Sequence, residues 1–175
     1  MRSAQQLLAQ YAAYHRDRRN IATHFVGVPL IVFAVGVLLA GVKFIVNGFA
    51  VTAAWIVFVP VALWYLSRGG LVLGLATSAG VAVLLALAHP AAAGSSMAWL
   101  AWGAGSFVVG WVIQFLGHYY EGRKPAFVDD LVGLLVGPMF VVAEWLFMLG
   151  WNRPLLRAIE AEVGPTVLRD LAHPA

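Results

Sequence analysis

The amino-acid sequence predicts an all-α integral membrane protein. It has four transmembrane helices, a bent or re-entrant helical segment after them and an amphipathic N-terminal helix. Three observations carry this. Of 175 residues, 62% are hydrophobic and 11% charged, against roughly 25% charged in soluble domains. The mean hydropathy is +0.84. The apolar residues gather in runs close to the roughly 20 that a helix needs to cross a bilayer.

The chain in order justifies each element. Leu7, Leu8, Tyr11 and Tyr14 recur at roughly helical spacing, so 3–19 is an interfacial helix with its apolar side on the membrane. Arg16, Arg18 and Arg19 end it, and basic residues beside a first span hold that end in the cytoplasm. This stretch is too polar, and the run after it too long, for a cleaved signal peptide. The first span is 25–46. Pro29 lies in its first turn, where a missing N–H costs little, and Lys43 snorkels at the far end. The second span is 49–66, kinked at Pro60. Ser67-Arg68-Gly69-Gly70 is a turn, 71–88 the third span and 89–96 an uncharged loop. The fourth span, 97–118, offers Ser106 and Gly110 as a small face, with Trp99 and Trp102 at an interface.

Residues 127–150 are long enough to span, but Asp129 and Asp130 open the run and Gly137-Pro138 breaks it. Charge decides. With the N-terminus inside, the loops 67–70 and 119–126 are inside too, and they hold Arg68, Arg123 and Lys124. The loops 47–48 and 89–96 hold no charge. A fifth full span would put Arg153, Arg157 and Arg169 outside, so a re-entrant or interfacial hairpin is preferred and a fifth span is the alternative. Residues 151–175 form a short amphipathic helix and a cytoplasmic tail. The whole chain, 1–175, is one membrane domain.

There is no cysteine. Disulfides, thiolate ligands and a cysteine nucleophile are excluded. A metal would need imidazole, carboxylate or water, which suits iron, zinc or manganese. In the predicted topology His15, His24 and His118 all lie at the cytoplasmic surface. His89 lies across the membrane and His173 in the tail. Asn20 and His24 share a helix face, as do Gln114, His118 and Glu121. A His and a Glu three apart occur together in carboxylate metal sites on helices. Glu144 is a lone carboxylate in an apolar run, costly unless paired or functional. The plainer readings are a histidine donating to free carbonyls at a helix end, Glu121 paired with Arg123 or Lys124, and Asp129 as the N-cap of the next helix. No Gly-rich phosphate loop and no Ser/His/Asp set is visible. The few arginines sit beside a span, so nothing points to nucleic acid.

The polar residues fall into two ordered signatures. The first is Tyr14-His15, Asn20 and His24-x-x-Gly27-x-Pro29. The second is Gln114-x-x-Gly117-His118-x-x-Glu121 with Pro125-Ala126, followed by Pro138…Glu144. They resemble a family, formerly a domain of unknown function, that includes the yeast endoplasmic-reticulum 2-hydroxy fatty acid dioxygenase of phytosphingosine catabolism. The resemblance implies a small multi-span enzyme performing iron(II)-dependent α-oxidation, in which a 2-hydroxy fatty acid and O2 give the acid one carbon shorter. It implies Fe(2+) held by His15, His24 and His118, which are also the catalytic residues. The chemistry suits the residues, because the substrate supplies all four electrons that O2 accepts and no second cofactor is required. Asn20, Gln114, Glu121 and Glu144 are the candidates to support the imidazoles. Arg16, Arg18 and Arg19 are the candidates to meet the carboxylate headgroup. The acyl tail would run between spans among membrane lipid, in a bacterial inner membrane or the endoplasmic reticulum, with the site at the cytoplasmic face. The spans match only in hydrophobicity, so chain length and the sphingolipid pathway do not carry over, and the oligomeric state is not encoded legibly. Two other readings are open: a non-enzymatic lipid or ion transporter, and a zinc-dependent lipid hydrolase with Glu121 or Glu144 as base.

Overall fold

The structure, a computed structural model, describes residues 2–171; His173 lies outside the described residues. It is helical but for one hairpin. The elements are α1 (Ala4–Ala12), α2 (Arg18–Ala40), β1 (Lys43–Val46), β2 (Phe49–Thr52), α3 (Ala53–Ala92), α4 (Ser96–Leu100), α5 (Ser106–Glu121), α6 (Gly133–Met148) and α7 (Arg153–Val163). A π-helical turn, Ala101–Gly105, joins α4 to α5.

Straight, the 40 residues of α3 would span about 60 Å. Instead Thr52, at its start, meets His89 near its end, Oγ1 to Nε2 3.0 Å, and Trp55 stacks on the His89 ring. The chain doubles back at Gly70, with φ 64° and ψ −166°, a region essentially closed to other residues. This is the turn expected at 67–70, and its arms are 53–69 and 71–92. By length and apolarity α2, α3 and the continuous Ser96–Glu121 stretch can cross a membrane, and the bent pair α6–α7 makes up to four. Val26, Leu63, Leu87, Val112 and Phe115 lie exposed on the outer faces. Apolar surface on that scale needs lipid or a partner rather than water.

Three expectations change. The first span ends at Ala40 and the second helix starts at Ala53. Between them Lys43–Val46 pairs antiparallel with Phe49–Thr52. Asn47 and Gly48 turn the hairpin at φ 50° and 83°, as a two-residue Asn-Gly turn requires. Lys43 therefore sits on a strand. The N-terminal helix stops at Ala12, and Leu7, Leu8 and Tyr11 are buried in protein against α6 and α7 rather than laid on lipid. The third change concerns Asp129, which does not cap α6. It accepts from the Tyr14 hydroxyl at 2.7 Å and Lys124 Nζ at 2.6 Å, while Asp130 accepts from the Val132 amide.

The 127–150 segment starts at the end of the bundle where α1 meets α2. Asp129 touches Tyr14, and past the 118° bend between α6 and α7 Arg16 donates to the Gly164 carbonyl. Arg68, at the α3 turn, reaches the Arg2 carbonyl at that same end. The β-hairpin and His89 occupy the other.

Candidate metal centre

Two helix ends and one glycine bring three histidines together. Ser3 and Gln6 form a capping box that starts α1. After Ala12 the chain leaves the helix, and His15 turns back so that its Nδ1–H donates to the Tyr11 carbonyl at 2.6 Å. Asp17 then caps α2, accepting from the Arg19 amide. One turn into α2, His24 Nδ1–H donates to the Asn20 carbonyl at 2.9 Å. His118 arrives from α5, whose pairing with α2 is the most extensive in the described structure. Gly117 lets the two helices close: a Cβ there would run into the Thr23 hydroxyl and the Asn20 carboxamide.

His15, His24 and His118 are 0%, 2% and 6% exposed. One ligand atom from each lies within 4.8 Å of the others. His15 Nε2 is 2.9 Å from His24 Nε2. Both rings already use Nδ1–H on a carbonyl, so both Nε2 atoms carry lone pairs aimed at each other. Burial, and then the nearby His24, hold the His15 imidazole well below its ordinary pKa, which keeps it neutral. His118 Nδ1 is buried with no hydrogen-bond partner among the described residues. Facing lone pairs and an orphaned nitrogen are unfavourable on their own and become favourable around a cation. Each carbonyl behind an imidazole fixes its tautomer and orientation, as ligand histidines require. The donor set fits a metal ion that accepts imidazole nitrogen.

Glu121 closes the loop between the first two histidines. Its Oε1 accepts from the Arg16 amide at 2.9 Å, and its Oε2 from the Asp17 amide at 2.8 Å and Asn20 Nδ2 at 3.0 Å. Asn20 Nδ2 also donates to the Tyr14 carbonyl. Glu121 is thus a clamp from the end of α5 onto residues 16–20, beside His15 in the chain. It is paired with neither Arg123 nor Lys124.

A strap reinforces the clamp. Val167 pairs with the Arg16–Arg18 backbone, the Arg169 amide donates to Asp17 Oδ2, and Arg19 Nη2 donates to the Arg169 carbonyl. The Arg19 guanidinium on Asp17 draws that carboxyl down to about 2.

Beside the imidazoles lies a cavity of about 70 Å³ between α2, α5 and α6. Tyr11, His24, Gln114, His118 and Trp111 line it, with Pro138 on the α6 side. No arginine does. Arg16 is occupied by the Ala12 and Gly164 carbonyls, and Arg19 by Asp17. Arg18 lines a separate polar groove with Arg153 and Glu160. The expected headgroup contact by these arginines therefore finds no support in their placement. Glu144 lines that groove too, near Arg16, and bonds to no histidine among the described residues, unlike the orienting role expected for it. In sequence Tyr11 belongs to the apolar stripe of the N-terminal helix and carries no signal of a site role. Its ring stacks on His15 at 4.2 Å, and its hydroxyl points towards Gly137.

Residues 1–149 match the protein family described as 2-hydroxy-palmitic acid dioxygenase Mpo1-like. The chain is 34% identical over 163 residues to 2-hydroxy-palmitic acid dioxygenase MPO1 of Saccharomyces cerevisiae, covering 89% of this chain and 87% of that protein. No solved structure gives a significant match. A match this long takes in both histidine stretches and the helices that bring them together, and the chain belongs to the Mpo1-like dioxygenase family.

Proposed function

We propose that this protein is an iron(II)-dependent dioxygenase that converts a 2-hydroxy fatty acid and O2 to the one-carbon-shorter acid, carbon dioxide and water. The observation that carries it is the three buried imidazoles with opposed Nε2 atoms beside an apolar cavity, in a chain whose yeast relative is named for this substrate class. His15, His24 and His118 would hold the iron, leaving positions for substrate and O2. Bound there, iron(II) supplies the one-electron chemistry that lets O2 react with a closed-shell acid.

The chain's own residues do the rest. The Tyr11 and Asn20 carbonyls hold two rings in the tautomer that presents Nε2. Glu121 fixes the loop carrying the first ring. Val28, Ile31, Val32 and Trp111 take the carbons next to the head and exclude water. We count α3 as two crossings, which makes four spans with α2 and the 96–121 stretch and puts the imidazoles at the cytoplasmic end, where Arg68 and Arg123 lie. The re-entrant α6 roofs the cavity.

A zinc hydrolase would need a carboxylate base at the cavity. Glu121 is engaged by three N–H donors and Glu144 faces the arginine groove, so neither is placed for it. Purified full-length protein, loaded anaerobically with iron(II) and given 2-hydroxyhexadecanoic acid and O2, should yield pentadecanoic acid. Zinc-loaded protein should yield none. Absence of the shortened acid from iron-loaded protein would remove the proposal.

A further inference from the structure

The cavity contains a polar side chain that neither the fold nor the three imidazoles use. Gln114 is 4% exposed and lines the cavity between His24 and His118. Its Oε1 is buried without a hydrogen-bond partner among the described residues, and it bonds to neither imidazole. A Cβ at Gly27 would come within 3.0 Å of the Gln114 Nε2, and equally of the Gly110 carbonyl. A buried, unpaired amide oxygen is costly. The fold keeps this one next to the metal ligands and makes room for it with a glycine. Its partner must therefore come with what fills the cavity.

The rest of the lining says what that is. Apart from the imidazoles and the Tyr11 hydroxyl, it is apolar, and no cationic side chain faces it. A primary amide offers an acceptor and a donor side by side. The head of a 2-hydroxy acid offers the complement on adjacent carbons, a hydroxyl O–H and a carboxylate oxygen.

We propose that Gln114 is the residue that selects the 2-hydroxyl: its Oε1 accepts the hydroxyl proton and its Nε2 donates to the carboxylate. The assignment rests on the 2-hydroxy acid reading given above. An unsubstituted fatty acid leaves Oε1 unpaired, and a 3-hydroxy acid carries its O–H one carbon too far along. A site built around a hydrogen bond to a hydroxyl discriminates strongly against ligands that lack it. Gln114 acts on binding and selectivity and leaves the metal to the histidines.

The test is anaerobic calorimetry on full-length, iron-loaded protein, where binding is read without turnover. The ligands are 2-hydroxyhexadecanoic acid, its 2-methoxy ether and hexadecanoic acid. The parent should prefer the hydroxy acid over both others. Gln114→Leu and the more adaptable Gln114→Met should each lower that preference about 10-fold or more, because the amide oxygen that tells a hydroxyl from its absence is gone. Iron content should not change, and affinity for hexadecanoic acid, which has only the Nε2–carboxylate contact to lose, should fall less than affinity for the hydroxy acid. Preference retained in both variants overturns the assignment and leaves the proposed reaction standing. Loss of iron in the variants also overturns it, by placing Gln114 in the metal shell. The ether needs no substitution: if the parent binds it as tightly as the hydroxy acid, no O–H is being read. A parent with no preference for the hydroxy acid removes the proposed function together with this inference.

Discussion

His24 and His89 stand at opposite ends of the bundle and are tethered alike. Each donates Nδ1–H to the carbonyl four residues back, Asn20 for one and Leu85 for the other. They differ in what the second nitrogen meets. His89 Nε2 meets the Thr52 hydroxyl, and its ring stacks on Trp55. Its hydrogen-bonding capacity is used up in holding the two arms of α3 together. His24 Nε2 meets a third residue's lone pair, with His118 close behind. The same local geometry is a strut at one end and part of the proposed ligand set at the other. His24 is buried and His89 partly exposed, but burial does not by itself make a ligand, since buried polar groups are normally hydrogen-bonded. The separation lies in whether the partner satisfies the nitrogen or competes with it.

The comparison breaks most directly at the histidines. His15→Ala, His24→Ala and His118→Ala should each remove bound metal almost completely, because three donors leave no spare. His89→Ala should keep full occupancy and lose only packing. Elemental analysis of the purified variants decides. Metal lost equally from His89→Ala would dissolve the distinction between strut and ligand.

Gly117 tests how the ligand end is assembled. Gly117→Val puts branched carbons against Thr23 and Asn20, so α5 must back away from α2 and carry His118 with it. Overpacking of this kind costs about 1–3 kcal/mol, and metal affinity should fall with it. Gly80, also helical, has nothing near an added Cβ. Gly80→Ala should leave both thermal stability and metal affinity near the parent's. A Gly117→Val protein that holds metal as tightly as Gly80→Ala would show that close approach is not what sets the site.

The two carboxylates sharpen the comparison within the ligand end. Glu121 binds two backbone amides and Asn20, and Glu144 sits by Arg16. Glu121→Gln retains one acceptor but presents an N–H to amides that also donate. The loop holding His15 should loosen, lowering metal affinity about 10–100-fold, the usual range for a supporting partner. Glu144→Leu should keep its metal, since the residue supports no imidazole. A competition titration with a chelator measures both. The reverse ranking would reinstate Glu144 as the orienting group.

These contrasts mark what could be read from sequence. The grouping of the three histidines was legible because alternating apolar runs put 1–24 and 118–121 at one end of the bundle, and that depends on counting runs rather than on any one contact. The 67–70 turn was legible because Gly70 supplies a backbone region that other residues avoid. The β-hairpin carried a readable signal, Asn47-Gly48. It was masked because Phe44-Ile45-Val46 and Phe49-Ala50-Val51 suit a membrane helix as well as a strand. Glu121 reads in sequence as a candidate to support an imidazole because its spacing from His118 fits one face of α5. Only the arrival of residues 16–20 from another helix shows that its oxygens are taken. The occupation of Arg16 and Arg19 by the 164–169 strap, about 150 residues away in sequence, has no local signature.

The smallest effect belongs to the strut itself. Thr52→Val keeps the shape and removes the hydroxyl that meets His89 Nε2. The ring stays tethered through Nδ1–H to Leu85 and stacked on Trp55, so the arms of α3 stay paired. What is lost is one hydrogen bond at a partly buried nitrogen, which costs about 1 kcal/mol. A small drop in thermal unfolding temperature should register it. Metal occupancy should not move, because the contact sits at the opposite end of the bundle from the ligands and α2 runs unbroken between them. Removing the hydroxyl on one side and the imidazole on the other, Thr52→Val with His89→Ala, should cost less than the sum of the two single changes, since both delete one interaction. Strict additivity would mean that the 3.0 Å contact contributes nothing. A fall in metal content with Thr52→Val would mean that the two ends are mechanically coupled through α2, and that strut and ligand set are parts of one device.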